Sequence, residues 1–143
     1  VKGIGLNIYE VLYHYYKHDK KEVKEKVNNL GLQDSVKFLG LRTDIPELMQ
    51  GMDLFLFPSL FEGLPVVGVE AQANGLPCLF SDTISDECKI SDNTVYLDRK
   101  NIDDWIKNIN NMERNDKLKL NDDFNINVQA KKFEELLSKI VNE

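Results

Sequence analysis

The sequence predicts an α/β fold built on a parallel sheet. Two apolar runs, residues 53–57 and 76–80, are short, nearly unbroken and closed by Pro58-Ser59 and by Ser81. Runs of that kind suit strands covered on both faces, as parallel strands are. Segments with helical spacing of apolar residues lie between the strand-like runs. From residue 35 onward this strand–helix alternation argues for parallel strands joined by right-handed crossovers.

Each element has its own justification. Residues 6–30 read as helix in two pieces, the first on Leu6, Ile8, Val11, Leu12 and Tyr15, with Tyr13 and Tyr16 crowding its middle. Asp19 can cap the second piece, which carries Val23, Val27 and Leu30 and stops at Gly31. Its charges (Lys20, Lys21, Glu22, Lys24, Glu25 and Lys26) read as a solvated face with i,i+4 pairing. Residues 35–39 form a strand ending at Gly40. After Asp44, Pro46 sits in the first turn of a helix that runs to Gly51. Residues 53–57 form the first buried strand. Residues 64–74 form a helix with Pro65 at its start and Gly75 at its stop, and residues 76–80 a second buried strand. Residues 94–97 are a further strand. Asn101 caps a helix on Ile102, Trp105, Ile106, Ile109 and Met112, and a last helix over 126–141 carries Val128, Phe133, Leu136, Leu137 and Ile140. Ser-Asp occurs at 81, 85 and 91 without a fixed period, so turns and caps explain it.

Composition excludes several classes. The chain has 143 residues, 42% apolar and 29% charged, with 8 Gly and 4 Pro, which is ordinary for a globular domain and wrong for a fibrous or disordered chain. One domain is expected at this length. Lys plus Arg number 18 and Asp plus Glu 24, a net charge of −6. No basic excess exists to neutralise a nucleic-acid backbone. Cys78 and Cys88 are too few for a disulfide framework, which fits a reducing, cytoplasmic setting, and Cys78 on its apolar run reads as packed. Neither cysteine has metal-ligand spacing with His14 or His18, which read as solvent-facing, so no metal site is expected. Trp105 reads as core. No run approaches the ~20 apolar residues of a membrane span, and no secretory signal pattern opens the chain. The first residue is Val1 rather than Met, as expected of either an artificial boundary or a fragment end.

Ligands of open α/β sheets bind beyond the carboxyl ends of the strands. The segment after Phe57 is therefore the place to look. There Glu62 supplies a carboxylate, Gly63 permits close backbone approach, and a helix N-terminus follows at once, which favours a phosphate. A carboxylate beside a phosphate fits a sugar attached to a diphosphate. Glu70 lies in an apolar helix, where a buried carboxylate needs donors such as the hydroxyls of a ribose. The Glu–x7–Glu spacing alone is weak and also fits a surface loop residue with an exposed helix position.

The wider pattern is specific. Phe38-Leu39-Gly40, Asp44-Ile45-Pro46-Glu47-Leu48, Asp53-Leu54-Phe55-Leu56-Phe57-Pro58-Ser59, Phe61-Glu62-Gly63-Leu64-Pro65 and Glu70-Ala71-Gln72-Ala73-Asn74-Gly75-Leu76-Pro77 follow in fixed order. This resembles the sugar-nucleotide-binding C-terminal half of retaining glycosyltransferases of family 4 (group 1), of the bacterial capsular or exopolysaccharide type. The resemblance is closest over residues 20–97. It implies a Rossmann-like parallel sheet with flanking helices, a single partial lobe of the two-lobed GT-B fold spanning residues 1–143. Within it, residues 1–30 would be an atypical helical part, 31–100 the α/β core and 101–143 the C-terminal helices. It implies that Glu62 is catalytic and contacts the donor sugar, and that Glu70 grips the ribose. The backbone of Gly63 and Leu64 would meet the diphosphate or sugar, and the Gly40-Leu41-Arg42 loop the nucleobase. The donor would be a nucleoside diphosphate sugar, expected to be a uridine diphosphate sugar, used without a metal or other cofactor. The acceptor would be a sugar or a lipid-linked sugar. The full enzyme would be cytoplasmic, peripheral at the inner membrane face.

The pattern also departs from the family. The Arg and Lys that meet the diphosphate, and the acceptor-binding lobe, have no counterpart in the sequence, so the chain is expected to be catalytically incomplete by itself. A truncated nucleotide-binding or interaction module, or a degenerate fragment, is the alternative. No strand with a Gly-x-Gly turn is legible before the 20–30 helix, so that strand is expected to be missing. The loop at 81–87 lacks the family's paired glycines, and Glu87 matches the family's usual glutamate there.

Overall fold

A computed structural model describes residues 8–10, 20–114 and 126–141. The chain falls into two compact units, Val1–Ile45 and Pro46–Glu143.

The first unit holds β1 (Ile8–Glu10), α1 (Lys20–Asn29) and β2 (Val36–Phe38). β1 pairs with β2 in parallel, Ile8 opposite Val36 and Glu10 opposite Phe38. This overturns two expectations: residues 8–10 are strand rather than helix, and the strand expected to be missing is present. Ile8 and Tyr9 are a β-branched and an aromatic residue, good strand formers once a partner is supplied. That partner lies past the α1 helix, beyond the reach of a local period. The expected stripe residues Leu6, Val11, Leu12 and Tyr15, together with Tyr13, Tyr16, His14 and His18, lie outside the described residues. α1 ends as expected, with Gly31 in the left-handed region at φ 67°. Its Lys21–Glu25 pair, 3.9 Å apart, confirms the solvated i,i+4 face, while Val23 and Leu30 are exposed rather than stripe-forming.

The second unit carries the main sheet. After α2 (Ile45–Gln50), β3 (Phe55–Phe57), α3 (Val66–Ala73), β4 (Cys78–Ser81), a 3-10 turn (Asp86–Cys88) and β5 (Thr94–Leu97) follow. Strand order is β3-β4-β5, all parallel. Phe55 stands opposite Cys78, and Cys78 opposite Thr94. The central strand β4 is buried along its whole length, as its continuous apolar run requires. Phe55, Phe57, Phe80 and Tyr96 form an aromatic cluster across the three strands, with Phe80 and Tyr96 edge to face at 5.6 Å.

α3 lies against β4 so closely that a Cβ on Gly68 would stand 3.0 Å from Phe80 Cζ and 3.2 Å from Cys88 Sγ. Cys78 and Cys88 are free thiols, both buried. α4 (Ile102–Asn111) begins at Asn101, whose side chain accepts from the Asp104 N–H. Trp105 is buried and its indole donates to Asp98 O at 3.0 Å, but Ile102 and Ile106 are exposed, so the expected apolar stripe of α4 is only partly used. α5 spans Ile126–Val141 as expected. On it Phe133 is exposed, and the side chains of Leu136, Leu137 and Ile140 lie outside the described residues. No helix among the described residues is long and apolar enough to cross a membrane.

Candidate functional site

The carboxyl ends of β3 and β4 carry two loops that are knitted together. Where β3 ends, Pro58 blocks further pairing and Ser59 turns the chain. The Ser59 carbonyl accepts from the Ser81 hydroxyl and, at 2.9 Å, from the Thr83 hydroxyl. Those two hydroxyl oxygens are 2.9 Å apart. Three residues on, Glu62 forms a parallel bridge with Ile84, and its carbonyl accepts from the Ser85 N–H at 3.4 Å. The Glu62 carboxylate accepts from Ser59 Oγ at 3.2 Å. Glu62 is half-buried, whereas its neighbours Leu60, Phe61, Leu64 and Val66 are exposed. Phe61, next to Glu62 in the chain, is 81% exposed.

Gly63 and Leu64 lead from Glu62 into α3. Both are exposed, and a Cβ on Gly63 would meet nothing within 4 Å, so this stretch of backbone is open to a ligand. Pro65 takes the N-cap position with extended geometry, and no side chain caps the helix. The orphan N–H groups of a first helical turn, with the positive end of the helix dipole, suit an anion or a carbonyl-like oxygen.

Glu70 departs from expectation. Its helix is not buried all round: Gly68, Ala71 and Gln72 face the core, while Val66, Glu70 and Ala73 are exposed. That spacing, i, i+4 and i+7, is one helical face. Glu70 therefore keeps its hydration and does not need buried donors. It stands one turn along from Val66, on the same face as the first turn that follows Glu62, Gly63 and Leu64. Glu87 is exposed in the 3-10 turn, where its N–H donates to Ser85 Oγ at 3.3 Å.

The Gly40-Leu41-Arg42 loop belongs to the first unit and leaves β2 with Gly40 at φ 68°. Leu41 is 87% exposed. Arg42 is committed to Asp44, with Nε donating to Oδ1 at 2.7 Å and a second bond from Nη2. These hydrogen bonds hold the Asp44 carboxyl below its ordinary range and raise the Arg42 guanidinium. Both groups are solvent-exposed, so the pair orders the loop rather than stabilising the fold.

Two residues have large structural roles that the sequence pattern does not announce. Gln72 is completely buried. Its amide nitrogen donates to Gly68 O at 2.9 Å and Cys88 O at 2.7 Å, and its oxygen accepts from Ile90 N, Ser91 N and Thr94 Oγ1. The only sequence signal was a polar amide on the apolar face of α3. Arg114 donates to Met49 O, Met52 O and Asn74 O, joining the carboxyl ends of α2 and α3. Among the described residues no three His, Cys, Asp or Glu side chains gather as a metal-ligand group.

Comparison with known proteins places this architecture. The profile of the family described as glycosyl transferases group 1 matches residues 4–131. EpsF of Bacillus subtilis (strain 168) is 52% identical over 66 residues, which cover 46% of this chain and 17% of that protein. The UDP-Gal:alpha-D-GlcNAc-diphosphoundecaprenol alpha-1,3-galactosyltransferase of Escherichia coli is 31% identical over 126 residues, covering 80% of this chain and 33% of that enzyme. The N,N'-diacetylbacillosaminyl-diphospho-undecaprenol alpha-1,3-N-acetylgalactosaminyltransferase of Campylobacter jejuni is 37% identical over 89 residues, covering 61% of this chain and 24% of that enzyme. The chain thus spans at most a third of the length of these relatives. The profile match runs through both parallel sheets and across the segment bearing Glu62 and Glu70, and on that ground the chain belongs to the glycosyl transferases of group 1.

Proposed function

We infer that the chain binds the donor, a nucleoside diphosphate sugar, in a glycosyl transfer that retains anomeric configuration. One observation carries this reading: Glu62 follows the carboxyl end of β3, and Glu70 stands on the exposed face of the helix that begins four residues after Glu62. Two hydrogen-bond-accepting carboxylates flank an uncapped helix N-terminus, which matches hydroxyls on either side of a diphosphate. In this reading Glu62 is catalytic and contacts the donor sugar as its anomeric bond breaks. Glu70 accepts from the ribose hydroxyls. The backbone N–H groups of Gly63 and Leu64 and the first turn of α3 meet the leaving diphosphate. The exposed ring of Phe61 offers the apolar face of a hexose a surface beside that carboxylate. Taken by itself, the Gly40-Leu41-Arg42 loop of the first unit offers a nucleobase its backbone groups, since the Arg42 guanidinium is engaged by Asp44.

A uridine diphosphate sugar is the proposed donor, a choice supported by the donor for which the Escherichia coli relative is named. Two relatives are named for diphosphoundecaprenol-linked acceptors, which supports a lipid-linked acceptor for the whole protein, handled by the GT-B partner lobe at the cytoplasmic membrane face.

Calorimetric titration with uridine diphosphate tests the reading. Binding should persist in chelator, because no metal is used. Glu70→Ala should weaken it by about ten- to a hundredfold, the loss of one or two hydrogen bonds to a charged acceptor. No detectable binding at millimolar nucleotide would leave a family member without a working donor site.

A further inference from the structure

We propose that Thr83 and Ser59 are positioning residues that set the orientation of the Glu62 carboxylate toward the donor sugar. The proposal rests on the reading of Glu62 as the sugar contact. Glu62 sits on a loop whose own residues cannot fix it: Leu60, Phe61, Gly63 and Leu64 around it are exposed. Its restraints come from a single neighbour in chain order and from the loop after β4. Ser59 Oγ lies 3.2 Å from Glu62 Oε1 and 3.5 Å from Phe61 O, so the carboxylate is the nearer of its two acceptors. The Ser59 carbonyl is in turn held by two hydroxyls, from Thr83 at 2.9 Å and from Ser81, and a carbonyl oxygen has two lone pairs to give. Ser81 is completely buried as the last residue of β4, which ties the arrangement to the central, fully buried strand of the sheet. The Glu62 main chain is fixed separately by Ile84 and Ser85. The restraint therefore runs from β4 through Thr83 and Ser81 to Ser59, and from the Ser59 hydroxyl to the carboxylate. Thr83 is exposed and 24 residues from Ser59, so its hydroxyl has no evident duty in the core.

A carboxylate that reads the sugar but not the nucleotide should show its misplacement in one quantity only. That quantity is the ratio of the dissociation constants for uridine diphosphate and for a uridine diphosphate sugar. Both are measured on the full 143-residue chain by calorimetry, with UDP-galactose, UDP-glucose and UDP-N-acetylgalactosamine as probes. Thr83→Val, which removes one neutral hydrogen bond, and Ser59→Ala, which removes the bond to the carboxylate itself, should each shift the ratio against the best-bound sugar nucleotide by at least about three- to tenfold. Uridine diphosphate itself should bind as before. Thr83→Ser, which keeps the hydroxyl, should restore the ratio, whereas a merely structural role would move both ligands together. If Thr83→Val does not fold, Ser59→Ala carries the test. An unchanged ratio, or a parallel loss for both ligands, would overturn the proposal. So would a wild-type chain that binds uridine diphosphate but does not distinguish it from any of the three sugar nucleotides, and this result would leave the nucleotide site standing. Failure to bind any of the four ligands is a different result and would remove the functional reading itself.

Discussion

Gln72 is the residue on which the packing of α3 against the loop before β5 turns. Its one amide satisfies two carbonyls, two main-chain N–H groups and a threonine hydroxyl, all buried. Gln72→Leu keeps the volume but strands these partners, and it should cost about 3 kcal/mol in urea unfolding, since each buried group left unpaired costs about 1–3 kcal/mol. Gly68 makes the opposite point. Alanine would favour helix, yet its methyl would meet Phe80 and Cys88 inside van der Waals distance, so Gly68→Ala should lower stability by about 1 kcal/mol net. Titration reports on the same packing. Burial pushes the Cys88 thiol up to about 11 and the Tyr96 hydroxyl up to about 12, from ordinary values of 9.0 and 10.0. Both acids hold their protons longer in the folded state than in the unfolded one. Stability is therefore full below pH 9 and falls as pH rises toward 12, because the unfolded chain releases these protons first. Tyr96→Phe should flatten the upper part of that limb, and the part of the wild-type tyrosinate absorbance that this variant lacks should appear together with unfolding. At this scale the sequence was legible where chemistry is contiguous: Glu62, Gly63 and Leu64 declare themselves beside a strand end. The partners of Gln72 and Ser59 lie up to 24 residues away, and no local pattern announces them.

At the scale of elements, periodicity and punctuation located most of what the structure shows. β2 through α4 begin and end within a few residues of the expected positions, because Pro46, Pro65, Asn101 and the stop at Gly75 act locally. β1 was misread for a physical reason. Three residues leave no room for an alternation to declare itself, and Leu6, Ile8, Val11 and Leu12 fit a helical stripe equally well. Its pairing with β2 supplies the information that the local sequence lacks. The ends of α2 and α3 show another contribution invisible to a helix-by-helix reading. Carbonyls at helix C-termini have no partner within the helix, and Arg114 supplies one guanidinium to Met49, Met52 and Asn74 at once. The positive charge also complements the negative dipole ends. Arg114→Ala should destabilise the second unit by about 2–3 kcal/mol in chemical denaturation, through charged hydrogen bonds to partly buried carbonyls. Lysine should recover only part of this, since an ammonium cannot span carbonyls that a planar fork reaches together.

At the scale of the whole molecule, charge is divided unevenly between the two units. Residues 1–45 carry 8 Lys and Arg against 6 Asp and Glu, and residues 46–143 carry 10 against 18. The unit bearing Glu62 and Glu70 thus has a net charge of −8 and the other +2. A nucleoside diphosphate is itself an anion and approaches a chain of net charge −6. Its long-range encounter is unfavourable, so on the proposed donor reading recognition would depend on close contacts: N–H groups at the start of α3 for the phosphates, and carboxylates that accept from the hydroxyls of the sugars. Salt acts differently on these two parts. The repulsion between separated charges is screened over about 10 Å at 0.1 M ionic strength, whereas short hydrogen bonds within the site are screened far less. Raising ionic strength from about 0.02 to 0.2 M should therefore increase the association rate constant of uridine diphosphate severalfold and leave its dissociation rate nearly unchanged. Stopped-flow fluorescence on Trp105 or a labelled nucleotide reads both constants. An association rate that falls with salt would instead mean that a local group of lysines and arginines outweighs the net charge at the mouth of the site, and would move the phosphate contacts from main-chain N–H groups to side chains.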